Sequence, residues 1–420
     1  KNNHFKSKDN KFEMDLPETI FSYSSTPEWT DKYGVFEEDG INEHHVAMSA
    51  TESAYANERV LAVDPFDTEK GILEEAMVTV VLPYVKTARE GVQRLGEIVE
   101  KHGAAEADGI LFSDPDEAWY MEIGSGHHWV AQRIPDDSYA VVANQLAIQA
   151  VVFDGNDFMY SKDLKDFVYQ NQLWPKDAVF NWREIFGTHD DSDLHYNTPR
   201  VWIGQKLLTP SVEQEPQDFD LPFIRKPDKP ISIQDAQAVL SNHYQNTPYD
   251  LTNPKNKNNA TFRPISVATT QESHLLELNG ENMIHWLAMG IAAQSVYVPF
   301  YPQGTKVPTM YKYGKETYST NSAYWVFKLA STLADRDWNK YGTDLSNAQD
   351  EAREKTTRLR YEYDQKLAKE SDPAKRIDLV NEANEKMAKT ATDIFKELSA
   401  KLITKQTGDS PLRFKMDPNL

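Results

Sequence analysis

The 420-residue chain contains no cysteine, which removes disulfides, thiolate zinc sites and a cysteine nucleophile from among these residues. It also has no run near the roughly 18 consecutive apolar residues of a membrane-spanning helix. The polar start KNNHFKSKDNK has no signal-peptide core, so a soluble, cytoplasmic protein without membrane contact is the expectation. Positive charge is scarce: 65 acidic residues face 45 basic ones, a formal net charge of −20. That balance opposes binding to nucleic-acid phosphates and anionic membranes, so nucleic acid is excluded as a partner. Three motifs are missing as well: H-E-x-x-H, a P-loop and a G-x-S-x-G elbow. What remains is 40% hydrophobic and 11% aromatic, enough to bury a substantial core.

Patterning places strands and helices in alternating blocks. Residues 45–52 read as a buried strand. In KGILEEAMVTVVLPYVKTAREGVQRLGEIVEKHG, the residues Ala88, Val92, Leu95 and Val99 recur at helical spacing before a stop at Gly103, and Pro83 divides the stretch into two helices. Between 108 and 150 the period falls to two, with DGILFSD, EAWYMEIG, HHWVAQRI and SYAVVAN separated by turn residues, an antiparallel meander. Helices follow around 161–170 and 198–208, and the proline- and acid-rich stretch 209–230 reads as an exposed crossing. Further strands are expected in ISVATTQESHLLEL, MIHWLAMG and SVYVPFYP. Segments 346–371 and 374–403 flank an Asp372-Pro373 break. A stripe of Val380, Ala383, Met387, Ala391, Ile394 and Leu398 makes them an antiparallel helical hairpin. The fold class is therefore α+β, with sheets packed together and covered by helices. A body at 1–345 carries or is extended by the hairpin at 346–405.

Several residues carry candidate chemistry. The pairs His44-His45 and His127-His128 put neighbours on opposite strand faces, so one buried, hydrogen-bonded ring and one exposed ring is expected of each rather than metal ligation. GSG at 124–126 reads as a hairpin turn. Small residues Ala47, Ser49 and Ala50 allow close strand approach and leave Thr51 and Glu52 at the strand end. There Glu52 either holds a substrate ammonium or serves as a structural cap or ion-pair partner. Asn144, ending an apolar strand, is either an oxyanion donor or a turn former. Arg200 lies just inside a helix capped by Asn197 or Thr198, with Pro199 in the first turn. A cation is disfavoured there, which points to a bound partner such as a carboxylate or thiolate.

Five segments occur together and in order: GINEHHVAMSATE, LPYVKTAREGVQRLG, GHHWVAQRIPDD, YNTPRVW and SVYVPFY. With them the chain resembles the U34/C69 peptidase family, the N-terminal-nucleophile cysteine dipeptidases of lactic-acid-bacterial type. The resemblance implies a four-layer αββα sandwich. It also implies hydrolysis of dipeptides of broad sequence through an acyl-enzyme on an N-terminal cysteine, whose own α-amine is the general base and which needs no metal or cofactor. Family members begin with a Cys-Thr-Thr strand followed by an Arg and an Asp. None of these is present here, so an incomplete N-terminus lacking the first strands is the expectation. By similarity to cholylglycine-hydrolase-type acylases, Asn144 corresponds to the oxyanion-hole asparagine and Arg200 to the arginine steadying the nucleophile, and Thr51 falls at a polar pocket position. Glu52 is the expected anchor of the substrate amine, with Asn42 and His127 as further substrate-binding candidates. A homo-oligomer acting on dipeptides is expected. The alternatives are an acylase of the same fold and a non-catalytic secernin-like binding protein.

Overall fold

The computed structural model describes residues 3–30, 32–52, 54–256, 261–278 and 280–412, without the side chains of Thr51 and Glu52. The chain is a mixture of helices and antiparallel sheets and divides into two compact units. One comprises Lys1–Ile265 with Leu276–Met283, the other Ser266–Leu275 with Ile284–Leu420.

The first unit is built on a seven-stranded sheet of Tyr23–Pro27 (β1), Glu37–Asn42 (β2), Ala47–Glu52 (β3), Asp108–Ser113 (β4), Ala118–Ile123 (β5), Trp129–Ile134 (β6) and Phe158–Tyr160 (β7). Spatial order follows chain order and every pairing is antiparallel, so short turns suffice to connect most neighbours. Alternation gives the sheet two faces. On one, Met48, Ala50, Ile110, Phe112, Trp119, Met121 and Ile123 pack against Glu74–Val81 (α1) and Ala88–His102 (α2) through Met77, Val80, Val92, Leu95 and Val99. The break expected at Pro83 is a 3₁₀ turn at Leu82–Tyr84, and α2 restarts with Thr87 accepting the Glu90 N–H. Helix α2 sits unusually close: a Cβ on Gly96 would stand 2.1 Å from Trp129 Cζ2.

The other face carries Tyr120 and Val130, covered by Leu146, Ile148, Trp182, Phe186 and Phe223. Here the meander departs from its expected course. Only Tyr139–Ala140 of SYAVVAN is a strand, and it pairs with Ile224–Arg225 outside the main sheet, whose next strand is β7. The 209–230 stretch is correspondingly not all exposed, because Leu221 and Phe223 are buried. Their apolar area leaves water only by lying against the core, which outweighs the polar character of the segment around them.

The second unit takes in Glu272–Glu277 (β8) as far as Leu275, with Ile284–Met289 (β9) and Val298–Phe300 (β10), strands that form a sheet in that order. Its core joins Val296 and Val298 to three helices, Ala323–Asp335 (α4), Trp338–Lys369 (α5) and Pro373–Thr407 (α6). Asp372 caps α6 by accepting the N–H groups of Ala374 and Lys375, with Pro373 in its first turn. All six residues of the expected stripe are buried. Phe395 meets Phe327 of α4 edge-on at 4.7 Å, and Asn384 clamps the Tyr301 backbone from both sides. The hairpin buries this stripe against α4 and β10.

Candidate active site

The site is built where the chain leaves the sheet after Ala140. Glu122, on the face of β5 away from α1 and α2, is fully buried and accepts the Ala147 N–H at 2.6 Å, the Ile148 N–H at 3.2 Å and the Trp182 indole at 3.0 Å. A buried carboxylate needs such donors. Meeting them draws 141–149 across the sheet face instead of along β6. Burial pushes the Glu122 carboxyl up to about 7, against the pull of its three donors and of Arg183. Opposite Glu122 in the ladder stands Gly109, where a Cβ would lie 2.2 Å from the Tyr120 hydroxyl. Glycine is therefore what admits the phenol.

Asn144 lies in this irregular stretch rather than at a strand end. Its Oδ1 accepts from Arg200 Nη2 at 2.6 Å. Arg200 projects from the first turn of Thr198–Leu208 (α3), which Asn197 precedes at the cap position with Pro199 inside. The guanidinium is held by neutral groups: Nε donates to the Tyr196 carbonyl at 2.7 Å, Nη2 also donates to Asn197 Oδ1 at 2.9 Å, and the Tyr196 ring lies 4.9 Å away. No carboxylate pairs with Arg200 among the described residues. Burial, with the charge of Arg263 second, pulls its pKa down to about 9. Asn197 is fixed in turn, because its Nδ2 donates to buried Asp193 Oδ1 at 2.5 Å, and Asp193 Oδ2 accepts from Thr188 Oγ1 and the Asp190 N–H. Donation runs outward from Arg200, through Asn197 to Asp193 on one side and to Asn144 on the other.

Two of the other expected site residues, Asn42 and His127, are bonded away from Asn144 and Arg200. Asn42 is buried at the β2–β3 turn and gives Nδ2 to the carbonyls of Leu82 and Val85, while its Oδ1 accepts the N–H groups of His44 and Val46. Its hydrogen-bonding capacity is spent on the backbone. His127 follows the GSG turn and is held at 2.7 Å by Asp64, which also takes Ser125 Oγ. Burial pushes the Asp64 carboxyl up, but the bonds from His127 and Ser125 outweigh it and hold it below its ordinary value. No hydrogen bond joins His127 to Asn144 or Arg200 among the described residues. His128 is the half-buried ring of that pair, bonded to Ser161 and stacked on Phe167. Burial lowers its pKa to about 4. His44 and His45 differ from expectation, since both sit in the turn between β2 and β3, with His45 at φ 62°. Thr51 and Glu52 end β3 in register with Gly109 and Asp108, and their side chains lie outside the described residues. Tyr196 and Asp193 were not singled out from sequence, and Asn197 only as a candidate helix cap. Tyr196 and Asn197 stood inside YNTPRVW, whereas Asp193 carried no signal beyond being one acid among many.

The family model for Peptidase family C69 matches residues 1–351. The chain belongs to that peptidase family. Membership of C69 makes it a peptide hydrolase. It is 40% identical over 425 residues to a probable dipeptidase of Latilactobacillus sakei, covering 99% of this chain and 88% of the relative. It is 37% identical over 424 residues to probable dipeptidase B of Lactococcus lactis, covering 98% and 88%. Dipeptidase A of Lactobacillus helveticus is 34% identical over 412 residues, covering 96% and 86%.

Proposed function

We propose that this C69 hydrolase is a dipeptidase of broad specificity that works through a thioester on an N-terminal cysteine lying outside these 420 residues, in a four-layer αββα sandwich. The thiol sulfur attacks the scissile carbonyl while the cysteine's own α-amine takes the thiol proton. Collapse of the tetrahedral oxyanion expels the leaving amine, which receives that proton, and water then cleaves the thioester. Asn144 is the oxyanion donor, Arg200 steadies the nucleophile and the donor together, Thr51 lines the pocket, and Glu52 receives the substrate ammonium.

The observation that carries the assignment is the Arg200–Asn144 bond. A guanidinium can only donate, so the amide oxygen faces Arg200 and the NH₂ is directed away from it, as an oxyanion donor requires. The names of the relatives supply the dipeptide substrate. Replacing Asn144 by Ala in the complete enzyme is expected to lower kcat on the order of 10²- to 10³-fold with an unchanged melting temperature. Full retention of kcat would refute the role. An enzyme that cleaves N-acylated amino acids faster than free dipeptides would instead be an acylase.

A further inference from the structure

We infer that Arg200 and Arg263 together form a subsite for the C-terminal carboxylate of the substrate, and that Arg263 is the residue that makes a short free-acid peptide the preferred one. The inference rests on the dipeptidase reading and adds the source of its length selectivity. Two guanidiniums share one aromatic ring: Arg200 lies 4.9 Å and Arg263 5.1 Å from the centroid of Tyr196. Among the described residues neither has a carboxylate partner, in a chain where acids outnumber bases 65 to 45. Arg200 commits Nε and Nη2 to Tyr196, Asn197 and Asn144, and Arg263 commits Nη1 to the Pro264 carbonyl. Arg200 Nη1 and Arg263 Nε and Nη2 meet no protein acceptor among the described residues.

Arg263 is also held in place. Its N–H donates to the His195 carbonyl at 3.0 Å, its carbonyl accepts from the Tyr244 hydroxyl at 2.8 Å, and the preceding Phe262 is buried with Trp202 and Tyr244. The charge of Arg263 acts on Arg200 and helps lower its pKa, and an anion that accepts from both relieves that repulsion. A carboxylate matches the planar fork of guanidinium donors. Arg200 holds Asn144 through Nη2, so a carboxylate accepted by Nη1 of the same guanidinium sits about one residue from a carbonyl poised at Asn144, the spacing of a dipeptide. A longer peptide would bring a neutral peptide group to the same place.

The test compares a dipeptide with its C-terminal amide on the complete enzyme and on Arg263→Gln and Arg263→Lys. Arg263→Gln is expected to lose about 10- to 100-fold in kcat/KM on the free acid, mainly through KM, and under about 3-fold on the amide. Arg263→Lys should recover part of the preference, which a purely packing role would not produce. Equal losses on both substrates, or no loss on either, would overturn the subsite while leaving the dipeptidase reading intact. A wild-type enzyme that hydrolyses no dipeptide would overturn both.

Discussion

An arginine can only donate hydrogen bonds, and this settles which way two amides point. Arg200 takes the oxygens of Asn144 and Asn197, and Asp193 takes the Asn197 NH₂, so each amide has its orientation imposed by a charged neighbour. Glu122 is the group next to this network whose charge depends on pH. An unfolded Glu titrates near ~4.3, whereas the buried native one titrates at about 7. Between those values the native state keeps a proton that the unfolded state has lost. The stability it contributes is therefore complete at low pH and is lost as pH rises to about 7, by roughly 3 kcal/mol. His128 acts in the opposite sense, since its lowered pKa favours the folded state only once the unfolded imidazole is neutral. Comparison with Glu122→Gln isolates the carboxyl. Between pH 5 and pH 8 the wild type should lose stability relative to the variant in urea titrations. A constant difference would show that Glu122 is ionised throughout.

At the scale of elements, close approach of α2 to the sheet depends on a missing side chain. With a Cβ at Gly96 only 2.1 Å from Trp129, Gly96→Ala is expected to cost about 1–3 kcal/mol of unfolding free energy. Gln93→Ala, on the exposed side of the same helix, should stay within about 0.5 kcal/mol. Denaturant midpoints of the two variants check the contrast, and equal midpoints would mean that α2 shifts freely on the sheet. Elements of this kind were legible in the sequence because one periodicity governs each. The 3.6-residue stripe marked α2 and α6, and Pro83 and Asp372-Pro373 marked breaks. The period-two runs gave β4, β5 and β6 with their turns. Residues 141–149 were not legible, because what takes that apolar run off the sheet is Glu122, some twenty residues away, and no local pattern records a buried carboxylate's demand for donors. Leu221 and Phe223 were hidden for a related reason, as two apolar residues in a proline-rich stretch reveal burial only once their core exists. At the site, Arg200 stood inside the family segment YNTPRVW and Asn144 at the end of the apolar run SYAVVAN. Asn42 was not separable from them, since an asparagine that serves turn geometry has the same letter as one that serves chemistry.

Across the whole molecule, membership of C69 and the similarity to dipeptidases extend over most of the chain, while the 420 residues hold no cysteine. No helix among the described residues is long and apolar enough to cross a membrane. On the proposed mechanism the reacting thiol is not among these residues, which makes its detection unambiguous, because no other sulfhydryl here competes for an alkylating reagent. Intact-mass analysis and N-terminal sequencing of the active enzyme, before and after thiol alkylation, decide the matter. The expected result is a mature N-terminal cysteine, one adduct on that residue and loss of dipeptide hydrolysis in step with its formation. An enzyme that hydrolyses dipeptides without any cysteine, or that stays fully active once its N-terminal cysteine is alkylated, would contradict it.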